Sequence, residues 1–312
     1  MEVSVKVSRE PLAIITIALL LVCTVSPVLV GQEEFSNVGA LVGLGKGARP
    51  MGMGGAFIGL ADDANAVYYN PAALAFLDGY GVTSLWSPQF GLLDYGGIGF
   101  AGRYFGINTS LLYSGSIAVP NEFGADTGNS FTYLSNDGVL GFGLPIISQL
   151  SVGGNVKYYY SHLSLEGTSD GFGWSLDPAI LVRGEGLGFG VMAENLLTGG
   201  LSYGANHEEE WERKIRVGIS ISPAVNEDVE WNILADLESP IAALIEAEYS
   251  GIVPHLGTEI WFNGIGLRAG YNGRSLTVGS SLEISNLRLD WGLSAFLSGV
   301  GQSHRVSVIY RF

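Results

Sequence analysis

His304-Arg305-Val306-Ser307-Val308-Ile309-Tyr310-Arg311-Phe312 alternates with a period of two residues. Phe312, Tyr310, Val308 and Val306 share one face; Arg311, Ser307 and Arg305 share the other, with Ile309 the exception. Successive side chains of a strand point to opposite faces, so the segment reads as a β-strand with one greasy and one polar side. A transmembrane β-barrel requires that division, because one face meets lipid and the other a wet lumen.

The same period recurs upstream. In 214–222, Ile215, Val217, Ile219 and Ile221 oppose Lys214, Arg216, Gly218 and Ser220. In 229–237, Val229, Trp231, Ile233, Ala235 and Leu237 oppose Glu230, Asn232, Leu234 and Asp236. Segments 275–284 and 287–297 repeat the pattern, the latter with Leu287, Leu289, Trp291 and Leu293 against Arg288 and Asp290. Each run is about ten residues long, which lets a tilted strand cross the hydrocarbon. Weaker runs read as strands near 82–87, 97–104, 106–115, 138–144, 150–163, 173–183, 186–194, 242–249, 254–262 and 264–271. Asn263-Gly264, Asn272-Gly273, Glu185-Gly186 and Asn226-Glu227-Asp228 supply turns between them. With an even count the usual rule, the expectation is an all-β fold, a transmembrane antiparallel β-barrel of about 14 strands over 80–312. The competing reading is a soluble β-sandwich with the same alternation turned onto a protein core. The one-sided apolar faces, with charges opposite, favour the barrel.

The chain has 312 residues, a formal charge of -15 and one cysteine. So acidic a chain is poorly suited to nucleic acid. Its 46 Gly, 14 Tyr and 14 Phe against 15 Lys and Arg suit tightly packed strands anchored at two interfaces. Lys6 and Arg9 precede an apolar run from Leu12 to Val30, read as a signal peptide over 1–31 with cleavage after Gly31. An uncleaved anchor is the other reading of that run. Cys23 lies inside it, and bulky Val22 argues against a lipidation site there. The exported chain then lacks cysteine, and with it any disulfide or thiolate metal site.

Residues 32–79 do not alternate. They are rich in Gly and Ala and contain two helical signals: Asp62 or Asp63 as a cap, then Asn70 as a cap with Pro71 at the first helical position. A compact segment of this kind ahead of a barrel reads as a lumenal hatch or as a periplasmic appendage.

The string Gly47-Ala48-Arg49-Pro50-Met51-Gly52-Met53-Gly54-Gly55-Ala56-Phe57, then Ala61-Asp62-Asp63-Ala64 and Tyr69-Asn70-Pro71-Ala72-Ala73-Leu74, resembles the start of the FadL-like outer-membrane proteins, closest to their PorV/PorQ branch. Arg268-Ala269-Gly270-Tyr271, Leu289-Asp290-Trp291 and Ser303-His304-Arg305-Val306-Ser307 are similar to that branch as well. The resemblance implies a fourteen-stranded barrel in the outer membrane of a diderm bacterium, with the N-terminal segment folded into the lumen. It implies one of two functions. FadL-type members pass long-chain fatty acids or other hydrophobic molecules; PorV-type members bind exported cargo in type IX secretion. The hatch or ligand-path residues are then expected at Met51, Met53, Phe57, Asp62, Asp63, Asn70, Pro71 and Ala72. Val308, Tyr310 and Phe312 are expected to signal the barrel assembly machinery, and the outer face to meet membrane lipid. Outer loops look brief apart from 117–136 and 198–212.

No catalytic constellation, cofactor motif or metal-ligand spacing stands out, so an enzyme is not expected. The four histidines sit in separate elements, and the acidic run 207–212 reads as a solvated loop before it reads as a divalent-ion site. Lumen-facing charges are expected at Lys214, Arg216, Glu230, Asp236, Glu246, Glu248, Glu259, Arg268, Glu283, Arg288 and Asp290. Together they are expected to brace the hatch. On that reading Leu289→Arg abolishes assembly and Arg288→Leu is tolerated.

Overall fold

Alternating segments leave half their side chains and every backbone N–H and C=O unsatisfied until they pair, and here they pair into a ring. The computed structural model describes residues 44–89, 93–120, 126–164, 170–203, 207–209, 211–226, 228–246, 251–297 and 302–312. Its strands are β1 (Tyr80–Gln89), β2 (Leu93–Gly102), β3 (Phe105–Tyr113), β4 (Ile117–Pro120), β5 (Asp126–Phe131), β6 (Tyr133–Ile147), β7 (Leu150–Leu163), β8 (Gly171–Gly184) and β9 (Leu187–Glu194). They continue as β10 (Leu197–Tyr203), β11 (His207–Glu209), β12 (Lys214–Ile221), β13 (Val229–Pro240), β14 (Val253–Phe262), β15 (Ile265–Tyr271), β16 (Ser275–Ile284), β17 (Leu287–Phe296) and β18 (Gln302–Arg311).

Fourteen of these strands form a closed antiparallel barrel: β1, β2, β3, β6 to β9 and β12 to β18. β18 closes it against β1, from Gly81↔Arg311 to Trp86↔Val306. β10 continues the line of β9 along the first half of β8, and β11 pairs back onto β10. β4 and β5 form a separate two-stranded hairpin. The stretches 117–136 and 198–212 therefore carry strand pairs of their own. Closure leaves no open edge in hydrocarbon.

The two faces have different solvents. On β18, Val308, Tyr310 and Phe312 beyond its end are 37%, 50% and 57% exposed, whereas Ser303, Arg305, Ser307 and Ile309 are at 4% or less. Leu267, Leu276, Ile284, Leu287 and Leu289 are likewise turned outward. Tyr80, Phe100, Phe105 and Phe312 are linked by ring contacts of 5.6–5.9 Å at the rim where β1 begins, an aromatic girdle of the kind found at membrane interfaces. Among the described residues no helix is long and apolar enough to cross a membrane.

Local signals set the hairpins. Asn263 and Gly264 both have positive φ, 49° and 78°, the pairing that a tight primed turn demands between β14 and β15. Of the strand expected at 242–249, the described part is not strand: Ile241–Ile245 forms a short helix, and 247–249 lie outside the described residues. After Pro240, which cannot extend a ladder, Ala242-Ala243-Leu244 offers good helix formers and no polar alternation. Residues 1–31 and Glu248 lie outside the described residues.

A hatch held inside the wall

Residues 44–79 contain little regular structure: helices at Ala48–Gly52 and Ala66–Tyr69, and a 3₁₀ turn at Pro71–Phe76. Asn70 caps the 3₁₀ turn by accepting from Ala72 N at 3.1 Å, with Pro71 at its start. The expected aspartate cap is different. Asp63 Oδ1 accepts from Asn65 N and Asn65 Nδ2, each at 2.9 Å, just ahead of the Ala66–Tyr69 helix, whose own cap residue Asn65 makes no side-chain capping bond.

Almost all of this segment is buried. Met53, Phe57, Asn70 and Ala72 have no exposed surface, Pro71 is buried, Met51 is partly so, and Asp62 is exposed. With few intrahelical bonds available, its backbone groups are satisfied by inward-facing wall side chains. Thr277 Oγ1 accepts from Gly54 N at 2.9 Å and donates to Gly52 O at 3.0 Å. Asp236 Oδ2 accepts from Phe57 N at 2.8 Å and Ile58 N at 3.0 Å. Arg216 Nη2 donates to Gly55 O at 3.1 Å, and Ser307 Oγ accepts from Ala48 N at 2.8 Å.

Wall glycines make the close approach possible. A Cβ built on Gly143 would stand 2.3 Å from Pro71 O, on Gly257 2.6 Å from Met53 O, and on Gly188 2.2 Å from Gly59 O. These contacts are backbone against backbone, so no side chain can be added there without moving the hatch.

A buried ionic network ties the segment to β14–β17. Arg49 donates to Glu259 in bidentate fashion, Nε to Oε1 at 2.7 Å and Nη2 to Oε2 at 2.6 Å. Its Nη1 also reaches Asp63 at 3.0 Å and pairs with Asp62. Arg268 meets Glu259 at 2.6 Å and Asp290 at 3.5 Å; Arg288 meets Asp63 at 2.5 Å and Asp290 at 3.1 Å. Burial pushes the Asp63 carboxyl up, but Arg288 and Arg49 outweigh it and hold the group well below the usual carboxylate range.

Several sequence-derived charges are gathered by this arrangement and others are not. Arg216, Asp236, Glu259, Arg268, Arg288 and Asp290 are buried inside the ring. Glu230 shares their face but is exposed near the start of β13, where its described contact is with Asn232. Glu246 follows the short helix and is exposed. Lys214 and Glu283 are partly exposed, paired with Glu238 and Arg311. Five further charges belong to the interior and escaped the sequence reading: Arg49 itself, and the pairs Lys46–Asp137 at 2.6 Å and Lys157–Asp177 at 2.5 Å. Lys157 stands between Val156 and Tyr158, both outward-facing, and that alternation was the available signal.

Beyond Lys46, apolar side chains join buried serines such as Ser87, Ser135 and Ser161 on the inner face of the wall. Leu85, Tyr95, Leu112, Tyr159, Leu201 and Trp211 form a cluster, with Leu44, Leu93 and Tyr133 against it. Tyr159 and Trp211 meet edge to face at 6.1 Å. Inward aromatic and aliphatic side chains are unusual in a lumen that is otherwise polar.

A closed barrel with an apolar skin, a polar interior and a folded N-terminal segment across its bore defines a plugged transmembrane β-barrel. Solved structures of this shape include the toluene transporter TodX of Pseudomonas putida, at 16% identity and TM-score 0.60 over 86% of this chain and 99% of that one. The toluene transporter TbuX of Ralstonia pickettii is similar at 14% identity and TM-score 0.58, over 86% and 98%. A FadL homologue of Pseudomonas aeruginosa follows at 10% identity and TM-score 0.51, over 86% and 98%. At such identities the likeness establishes the fold. No protein-family model and no curated protein sequence matches the chain.

Proposed function

We propose that this protein is an outer-membrane channel for small hydrophobic molecules, of the FadL type. The observation that carries the reading is the apolar cluster around Tyr95, Tyr159 and Trp211, set inside a polar lumen directly beyond a hatch. An aqueous pore has no use for greasy inward side chains, whereas a hydrophobic solute leaving water gains about 25 cal/mol for each Å² of apolar surface it buries. The toluene transporters with the same architecture support a solute of this class. Solute collects at the cluster and passes when the hatch shifts; Met51, Met53, Phe57 and the turn at Asn70–Ala72 are the parts of the hatch that move or line the way. Export by the N-terminal signal and recognition of Val308, Tyr310 and Phe312 by the assembly machinery bring the chain to that membrane.

The test is native mass spectrometry of the detergent-extracted protein, combined with uptake of a long-chain fatty acid or a monoaromatic hydrocarbon in cells with and without the gene. Retained hydrophobic ligand and gene-dependent uptake are expected. Neither result, with a co-purifying exported polypeptide in their place, would instead support the PorV-like secretion role.

A further inference from the structure

A buried indole N–H or amide oxygen is normally bonded, because leaving one unpartnered costs free energy. Two such groups break the rule where β9 finishes and β12 begins. Trp211 is 9% exposed and Asn195 8%, and Trp211 Nε1 and Asn195 Oδ1 meet no protein partner among the described residues. One is a donor and the other an acceptor. Asn195 Nδ2 donates to Glu212 O at 2.9 Å, one residue along the chain from Trp211. Asn195 N also donates to Asp177 Oδ1 at 2.7 Å, so this residue is held at two points while its amide oxygen stays unused.

The indole is part of the apolar cluster, with Leu85, Tyr95, Leu112, Tyr159 and Leu201. The hydroxyls of that cluster are already engaged. Ser135 Oγ donates to Tyr159 Oη at 2.6 Å, Tyr159 Oη lies 3.1 Å from Tyr133 Oη, and Tyr95 Oη donates to Gly45 O at 3.1 Å. The nearby cations are engaged as well. Lys46 pairs with Asp137 at 2.6 Å and Lys157 with Asp177 at 2.5 Å, while Arg305 donates to Leu44 O and Gly45 O of the hatch. A bare hydrocarbon seated on the cluster would leave both Trp211 Nε1 and Asn195 Oδ1 unpartnered. A carboxylate would find the ammonium groups neutralised and would meet another acceptor at Asn195 Oδ1. An uncharged hydroxyl serves both groups, since it accepts one hydrogen bond and donates another.

We infer that the apolar cluster seats an uncharged hydrophobe bearing a hydroxyl group, a phenol or an alcohol, whose oxygen accepts from Trp211 Nε1 and whose proton is donated to Asn195 Oδ1. The inference rests on the channel reading above and adds to it the chemistry of the solute. Wild-type protein and Trp211→Phe, each in lipid nanodiscs, are titrated with toluene, p-cresol and p-toluate, which differ only in a hydrogen, a hydroxyl and a carboxylate at one position. Empty nanodiscs serve as the blank, and folding is checked by heat-shifted gel mobility. Trp211→Phe should weaken p-cresol binding about tenfold, the effect of one buried hydrogen bond, and leave toluene within about twofold. A ligand-side arm needs no variant: p-methylanisole accepts a hydrogen bond but cannot donate one, and should bind the wild type on the order of tenfold less tightly than p-cresol. Unchanged p-cresol affinity in Trp211→Phe, equal weakening of toluene and p-cresol, or no binding of p-cresol would overturn the inference. So would p-toluate or p-methylanisole binding the wild type as tightly as p-cresol. Selective p-cresol binding without gene-dependent uptake counts against the channel reading alone; gene-dependent uptake of toluene without the p-cresol effect counts against the hydroxyl site alone.

Discussion

Leu289 and Arg288 are neighbours on β17 with opposite solvents. Leu289 is 46% exposed on the outer face, and Arg288 is buried against Asp63 and Asp290. A charge at position 289 enters hydrocarbon at a cost of up to about 2–4 kcal/mol. Leu289→Arg should therefore fail to assemble into vesicles, as read by heat-shifted gel mobility. Arg288→Leu should assemble, yet it is not the harmless change that alternation alone suggests. It strips one partner from each of two buried carboxylates, at about 1–3 kcal/mol. Limited proteolysis should then cut the hatch while leaving the strands whole. Asp63 supplies the pH counterpart. Its carboxyl is held below its unfolded value of about 3.9, so its stabilisation is complete above that value and is lost as the pH falls toward the folded one. Protease resistance of the hatch should stay level from about pH 7 to 5 and decline below about pH 4; a loss already at pH 6 would exclude Asp63 as the cause.

Among the elements, the strands were legible because lipid and lumen impose a strict period of two, and Asn-Gly turns mark where the chain reverses. The hatch was legible as a segment that breaks the period, but its partners were not. Arg49 and Glu259 are separated by 210 positions, and no local pattern links them. Glycine is equally silent in sequence, since it favours neither face, and its role at 143 or 257 emerges only when two backbones meet. The first half of the strand expected at 242–249 is helix for the converse reason, a weak alternation lost to helix-forming residues after Pro240. Gly257→Ala puts a methyl group within 2.7 Å of Met53 Cβ and 2.6 Å of its carbonyl oxygen. Overpacking of this kind costs about 1–3 kcal/mol. The variant should keep its barrel circular dichroism while hydrogen exchange in residues 50–58 accelerates.

At the scale of the molecule, the ring is sealed by its first and last wall strands. Tyr80 N donates to Phe312 O at 2.9 Å, and Phe312 N donates to Tyr80 O at the same distance. Deleting residues 302–312 should leave one edge of β1 and one edge of β17 unpaired, and the product should run only in the unshifted, heat-insensitive gel band with no folded fraction. The same junction imposes a timetable. More than two hundred residues must be delivered before the final stitch can be made, because the two lips of the cylinder come from positions so distant along the polypeptide. A stalled or shortened copy keeps both lips bare, open to peptidases and to joining with another copy, so completeness of the translation product is checked by geometry itself.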